Sequence, residues 1–262
     1  MNMHLLVGTL GLVSGFLSGL LGIGGGIVMA PLLLYVPPWL GLPAFSMREV
    51  AGLTIIQGLT ACLSGVLVHR KFHFVSGRLA AWMGSTIFVA ALTGGAAADR
   101  IANQLLLAVF AILALAAAVL ILVPTAEDSE RPNVEQVTFS RLRAVTIAGG
   151  VGFLGGLVGQ GGSFILIPLM TSFLQIPTRI AIGSNLAIIL LSSLAAFLGK
   201  ALTGQILWSL VPALVLAVVP ATFAGGQLSR RLPVGKLRLL LAVCIAVAAI
   251  RISLSALTFC LE

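Results

Sequence analysis

The sequence predicts an all-α polytopic membrane protein of two inverted repeats, each a glycine-broken helical hairpin followed by three transmembrane helices. Three observations lead there: how little charge the chain carries, where that charge is missing, and a stretch of sequence that occurs twice. Of the 262 residues, 59% are apolar and 8% charged, against about 25% charged in a soluble domain. Such a composition cannot cover a water-facing surface. No charge falls within 1–47, 50–69, 79–98, 101–126, 144–178, 180–199 or 201–229. A helix of about 20 apolar residues crosses the hydrocarbon core, and most of these runs are long enough. A β-barrel would instead show ~10-residue segments of alternating polarity.

The repeat is visible by eye. GFLSGLLGIGGGIVMAPL (15–32) aligns with GFLGGLVGQGGSFILIPL (152–169) at an offset of 137, and ten of the 18 positions are identical. Beyond a loop that is longer in the first half, around 36–41, the offset becomes 131. Arg48 then matches Arg179, Gly52 matches Gly183, and Gly94-Gly95 matches Gly225-Gly226. The repeats are residues 1–123 and 144–262.

Taken in order, segment 4–36 is too long for one span and too short for two, at ~1.5 Å per residue. Its Gly22–Gly26 run breaks it, which predicts a helical hairpin. Uninterrupted apolar runs predict spans at 50–68, 77–97 and 103–123. The stretch 124–143 is the one long polar segment and reads as an exposed linker. The pattern then repeats, with a hairpin at 144–174 and spans at 181–199, 206–226 and 237–258. If each hairpin returns to its starting side, a half crosses three times and the repeats are inverted. If each broken segment crosses once, the halves are parallel. Lys and Arg concentrate in cytoplasmic loops. The inverted arrangement places 11 of the 15 basic residues on the side of Arg70, Lys71 and Arg78, leaving Arg48, Arg100, Lys200 and Arg251 opposite. The parallel arrangement splits them seven to eight. The inverted topology is therefore the expectation, with both termini outside and the linker in the cytoplasm.

Several function classes drop out. The net charge of +8 is the cytoplasmic-loop bias, with no folded polar domain to carry a nucleic-acid groove. Cys62, Cys244 and Cys260 form neither a disulfide framework nor a metal motif. His4, His69 and His73 lack ligand spacing, so no metal and no cofactor are expected. No nucleotide-binding loop and no hydrolase constellation appear, so an enzyme is not expected. No Asp or Glu lies within a span, unlike pumps that relay protons through an intramembrane carboxylate. A cleaved signal peptide is not expected, because the apolar start lacks a basic n-region.

The candidate site follows from the breaks. Irregular backbone at membrane depth is tolerated only where protein or a water-filled cavity surrounds it. Helices restarting near Ile27 and Phe164 would offer free N–H groups and a positive dipole end, which together make an anion site without a cationic side chain. Gly24, Gly25, Gly26, Gly161, Gly162, Gln160 and Ser163 belong to these breaks. Polar side chains in the apolar runs add Thr54, Gln57, Ser184 and Asn185; Thr54 and Asn185 are equivalent positions. Either amide could donate to an anion or instead satisfy a freed carbonyl. Arg48 and Arg179 precede corresponding spans on opposite faces and read as electrostatics at two entrances, or else as snorkelling anchors. The repeated glycine spacing at 11, 15, 19 and 22 reads as helix packing.

The doubled GxGG…P pattern, at Gly22, Gly24, Gly25, Gly26 and Pro31 and again at Gly159, Gly161, Gly162 and Pro168, resembles the TauE/SafE sulfite exporter family over essentially the whole chain. The second copy departs from the first at Gln160 and Ser163, where the first has Ile23 and Gly26, so the halves cannot contact a substrate identically. The resemblance implies transport of sulfite or a small organosulfonate across a bacterial inner membrane. The leading expectation is a secondary carrier exporting such an anion by alternating access, with the lipid bilayer and the small anion as its partners and no nucleic acid among them. Import of another sulfur compound or small organic anion is the alternative within transport. A non-transporting membrane scaffold is the alternative of another class, and mid-depth broken backbone argues against it.

Overall fold

The computed structural model describes residues 2–98, 133–158, 162–202 and 206–260, with scattered positions between 105 and 120. Among these it is helical throughout, with no strand. Its helices are α1 Met3–Leu21, α2 Gly26–Trp39, α3 Met47–Lys71, α4 Gly77–Ala98, α5 Arg141–Val158, α6 Ser163–Phe173, α7 Thr178–Leu202, α8 Val211–Arg231 and α9 Val234–Cys260. Met3–Leu21, Glu49–Lys71, Thr178–Leu198 and Val211–Arg231 are each long and apolar enough to cross a membrane. The chain is thus a multi-pass membrane protein by length and composition. The expected span 103–123 falls largely outside the described residues.

Helix boundaries follow local chemistry. Ser46 and Glu49 close α3 reciprocally, the Glu49 N–H donating to Ser46 Oγ at 3.3 Å and the Ser46 N–H to Glu49 Oε2 at 2.8 Å, which satisfies two orphan donors at that end. In the second half the run expected to span 206–226 is helical from Val211 to Arg231. Residues 206–210 stay outside the helix because Pro212 starts it, its missing N–H costing nothing in a first turn. Pro233 similarly precedes α9, which begins at Val234 rather than at 237.

Packing pairs the two halves reciprocally. α1 lies along α8, with Gly11 against Leu214, Gly15 against Val218 and Gly19 against Thr222. The matches ascend together, so the two helices run in the same direction. α4 lies along α5 through the equivalent positions of the repeat. A Cβ on Gly15 would stand 3.0 Å from the Val218 Cα, and one on Gly152 would stand 3.0 Å from the Ile87 Cα. A Cβ on Gly19 would overlap the Thr222 carbonyl, and one on Gly156 the Ala91 carbonyl. Likewise Gly225 admits the Phe16 carbonyl and Gly94 the Phe153 carbonyl. Glycine at these positions lets backbones touch, the usual way to associate helices in lipid.

Two apolar clusters order the remaining helices. One joins the start of α1 (Leu6, Leu10), the body of α2 (Met29, Leu33), the start of α3 (Val50, Leu53) and the start of α8 (Leu214). At the far end, His69 near the close of α3 sits with Nε2 2.9 Å from the Gly19 carbonyl of α1. α1 and α3 therefore point the same way, and α2 doubles back between them, Ser14 Oγ lying 3.3 Å from Met29 Sδ.

Candidate functional site at the two helix breaks

α1 ends at Gly22, in the left-handed region at φ +70°, its N–H closing on Ser18 O at 2.8 Å. Gly24 and Gly25 are also left-handed, at φ +65° and +77°, before α2 begins at Gly26. Three such residues in four reverse the chain sharply, a path that side chains with a Cβ adopt only at a cost. Gly25 caps α2 with no side-chain hydrogen bond, which leaves the first-turn N–H groups without the usual cap at the helix's positive dipole end. In the second half Gly162, at φ +63°, caps α6 in the same way. Gln160 and Gly161 lie outside the described residues.

The breaks meet between α3 and α7, which run antiparallel. Gly58 faces Ser193 along this seam, and Gly65 faces Leu186. A narrow cavity of about 30 Å³ opens there, lined by Gly24, Gly26, Thr54, Ser163, Ser192 and Ser193 among others. That is roughly the room one water occupies.

The expected site residues separate into three groups. Gly24, Gly26, Thr54 and Ser163 line the cavity, although Thr54 Oγ1 also donates to its own helix at Ala51 O, 3.1 Å. Gln57 and Gly25 stand immediately behind: a Cβ on Gly25 would overlap the Gln57 amide. Gln57 is 0% exposed, and neither its nitrogen nor its oxygen has a partner among the described residues. Asn185 ties the breaks together, Nδ2 donating to Gly22 O at 2.6 Å and to Ser163 O at 3.1 Å. Ser163 Oγ adds a third link, donating to Ile23 O at 2.6 Å. Of the two roles open to Asn185 from sequence, satisfying freed carbonyls is the one these contacts display.

The remaining residues sit elsewhere. Ser184 Oγ accepts the Ser76 N–H at 2.9 Å, fixing the loop between α3 and α4 rather than facing the cavity. Gly162 packs against Val151, leaving no space for a Cβ. Arg179, expected at an entrance, is only 5% exposed. Its guanidinium donates to Ser229 O at 2.9 Å and Leu232 O at 2.8 Å, and lies 5.6 Å over the Phe74 ring. A cation at the C-terminus of α8 satisfies carbonyls that have no helical partner, which explains why it is drawn in. The side chain of Arg48 lies outside the described residues. Ser192, Ser193 and Gly58 are not among the expected site residues, yet all three line the cavity. The missed signal is helical spacing, since 185, 189, 192 and 196 lie on one face of α7.

Among the described residues no group of three His, Cys, Asp or Glu side chains could hold a metal ion. What the arrangement offers chemically is a small neutral cavity with hydroxyl donors and a helix N-terminus.

A family model described as "Sulfite exporter TauE/SafE" matches residues 7–252. Among curated proteins the chain is similar to "Probable membrane transporter protein YunE" of Bacillus subtilis (strain 168), 28% identical over 238 residues that cover 84% of each chain. It is also similar to "Probable membrane transporter protein MJ0441" of Methanocaldococcus jannaschii, 21% identical over 250 residues and 90% of each. No solved structure matches it.

Proposed function

The chain belongs to the TauE/SafE sulfite exporter family and is a membrane transporter; from that premise we propose that it carries sulfite or a small organosulfonate outward by alternating access. The observation that carries this reading is the asymmetry of the site. The cavity runs from the breaks toward the start of α3 and the end of α7, past Thr54, Ser192 and Ser193. The opposite direction is sealed. There Leu186 fills the space beside Gly65, and the Asn185 and Ser163 bonds hold the first break's carbonyls. A cavity lying to one side of the breaks, with the other side packed, is what one half of an alternating-access cycle would present, and discontinuous helices meeting at mid-depth are a common way to build one.

The two halves of this reading are inverted repeats, each opening with a hairpin. The reciprocal glycine contacts of α1 with α8 and of α4 with α5 support it, because equivalent residues repeat the same touch. The doubling back of α2 against α1 supports an odd number of crossings per half. With the basic loops facing the cytoplasm of a bacterial inner membrane, the cavity lies on the outward side of the breaks. The energetics favour export: each negative charge leaving an inside-negative cell gains about 2.3 kcal/mol per 100 mV, so no coupling ion is required.

The test is flux from proteoliposomes loaded with sulfite under an imposed potential. Efflux should accelerate when the protein's cytoplasmic side is made negative. Sulfite that stays inside, or that moves only in the importing direction, overturns the reading.

A further inference from the structure

The buried amide of Gln57 has a ligand's chemistry written into it. Gln57 lies between Thr54 and Gly58 on α3, both of which line the cavity, and its amide rests on Gly25 between the lining residues Gly24 and Gly26. It faces the N-terminus of α2, where the helix offers N–H groups with no side-chain cap. Its Nε2 and Oε1 are both buried and without a partner among the described residues, and Asn185 Oδ1 is in the same condition. A buried polar group left unmatched is costly, and natural proteins rarely leave one without reason.

We propose that the missing partner is an oxyanion that still carries a hydrogen-bond donor, a singly charged acid such as hydrogensulfite, and that Gln57 reads the donor. This rests on the cavity being the substrate site. The Gln57 NH₂ donates to anion oxygens, as does the end of α2. Oε1 can only accept, and a fully deprotonated oxyanion has nothing to give it. An anion that keeps one O–H or N–H matches both ends of the amide.

Charge leads to the same class independently. The attraction of a helix terminus for an ion grows in proportion to the ion's charge, whereas the desolvation cost grows with its square, about fourfold for a dianion over a monoanion in the Born picture. The lining side chains are neutral. A site that relies on a dipole and neutral donors therefore selects single charge. The amide becomes reachable when the wall of Gly24 and Gly26 moves aside as the cavity widens.

Calorimetric titration of the purified protein in detergent tests this, with sulfite on the acidic and alkaline sides of its second ionisation near neutral pH. Methanesulfonate is the control: it is singly charged, has no donor and does not ionise in that range. Any protein group whose charge changed, His69 on the Gly19 carbonyl and the exposed His73 included, would alter binding of both probes alike. Sulfite should bind about tenfold tighter on the acidic side, the equivalent of one hydrogen bond, with methanesulfonate unchanged by pH. Gln57→Met, close in shape but apolar, should flatten the sulfite dependence. If that variant does not fold, the two probes on the unaltered protein decide. Sulfite affinity that is flat with pH or stronger on the alkaline side overturns the donor inference and leaves the transport reading standing, as does a pH dependence retained in Gln57→Met. If neither probe binds, both fall.

Discussion

Gly25 carries two constraints at once, and they can be separated. It is left-handed at φ +77°, and a Cβ there would overlap the Gln57 amide. Gly25→Ala should lower the melting temperature through both, the backbone part costing ~1–2 kcal/mol. Adding Gln57→Ala should restore the steric part alone, so the double variant should be more stable than Gly25→Ala yet less stable than the Gln57→Ala single variant. Melting temperatures of the four proteins check it, and strict additivity would mean the residues do not touch. At this scale the sequence was legible wherever residue type forces conformation: three glycines in a row fix a break. It was not legible where a polar side chain had two uses. Asn185 and Gln57 look alike as letters in an apolar run, yet one ends up spanning two carbonyls and the other ends up with none. The difference depends on which backbone lies opposite, and that is settled by tertiary packing. Arg179 is a further case, since nothing local announces the carbonyls of Ser229 and Leu232 across from it.

Among the helices, the paired contacts of α1 with α8 and of α4 with α5 predict matched sensitivities. Gly19→Val and Gly156→Val push a side chain into equivalent carbonyls, those of Thr222 and Ala91. Each should destabilise by about 1–3 kcal/mol, the usual cost of overpacking, and the two losses should be similar. Gly150 is the contrast: nothing lies within 4 Å of a Cβ there, so Gly150→Ala should raise stability by roughly 0.5–1 kcal/mol as helix propensity improves. Thermal unfolding in detergent reads all three, and a tolerated Gly19→Val would show that α1 and α8 are not in backbone contact. The helices themselves were largely readable, because long uncharged runs bounded by Arg, Lys or Pro leave little choice in lipid. Their starts were less so. The run 206–226 looked continuous in hydropathy, but its first turn is set by Pro212, and hydropathy does not register a proline's missing N–H.

For the whole molecule, the orientation is the quantity to measure. Leu40 follows α2 and Lys71 ends α3; both are exposed, and the length of α3 separates them. In intact cells a membrane-impermeant thiol reagent should label Leu40→Cys on a background without the native cysteines. It should reach Lys71→Cys only after the membrane is opened. Labelling of both from outside would mean that α3 does not cross the membrane.

The same reciprocal packing sets the order in which the protein can be made. α1 leaves the ribosome well before α8, yet its glycine-lined face has no partner until α8 emerges. During that interval the face must wait in lipid, or be held by the insertion machinery. Neither half can shelter its own first helix, because the groove that receives it belongs to the other half. Each half alone is thus an unfinished object, and two identical copies could complete one another through the same contacts. A duplicated gene that fused such copies would keep every touch while guaranteeing that the two partners are born together.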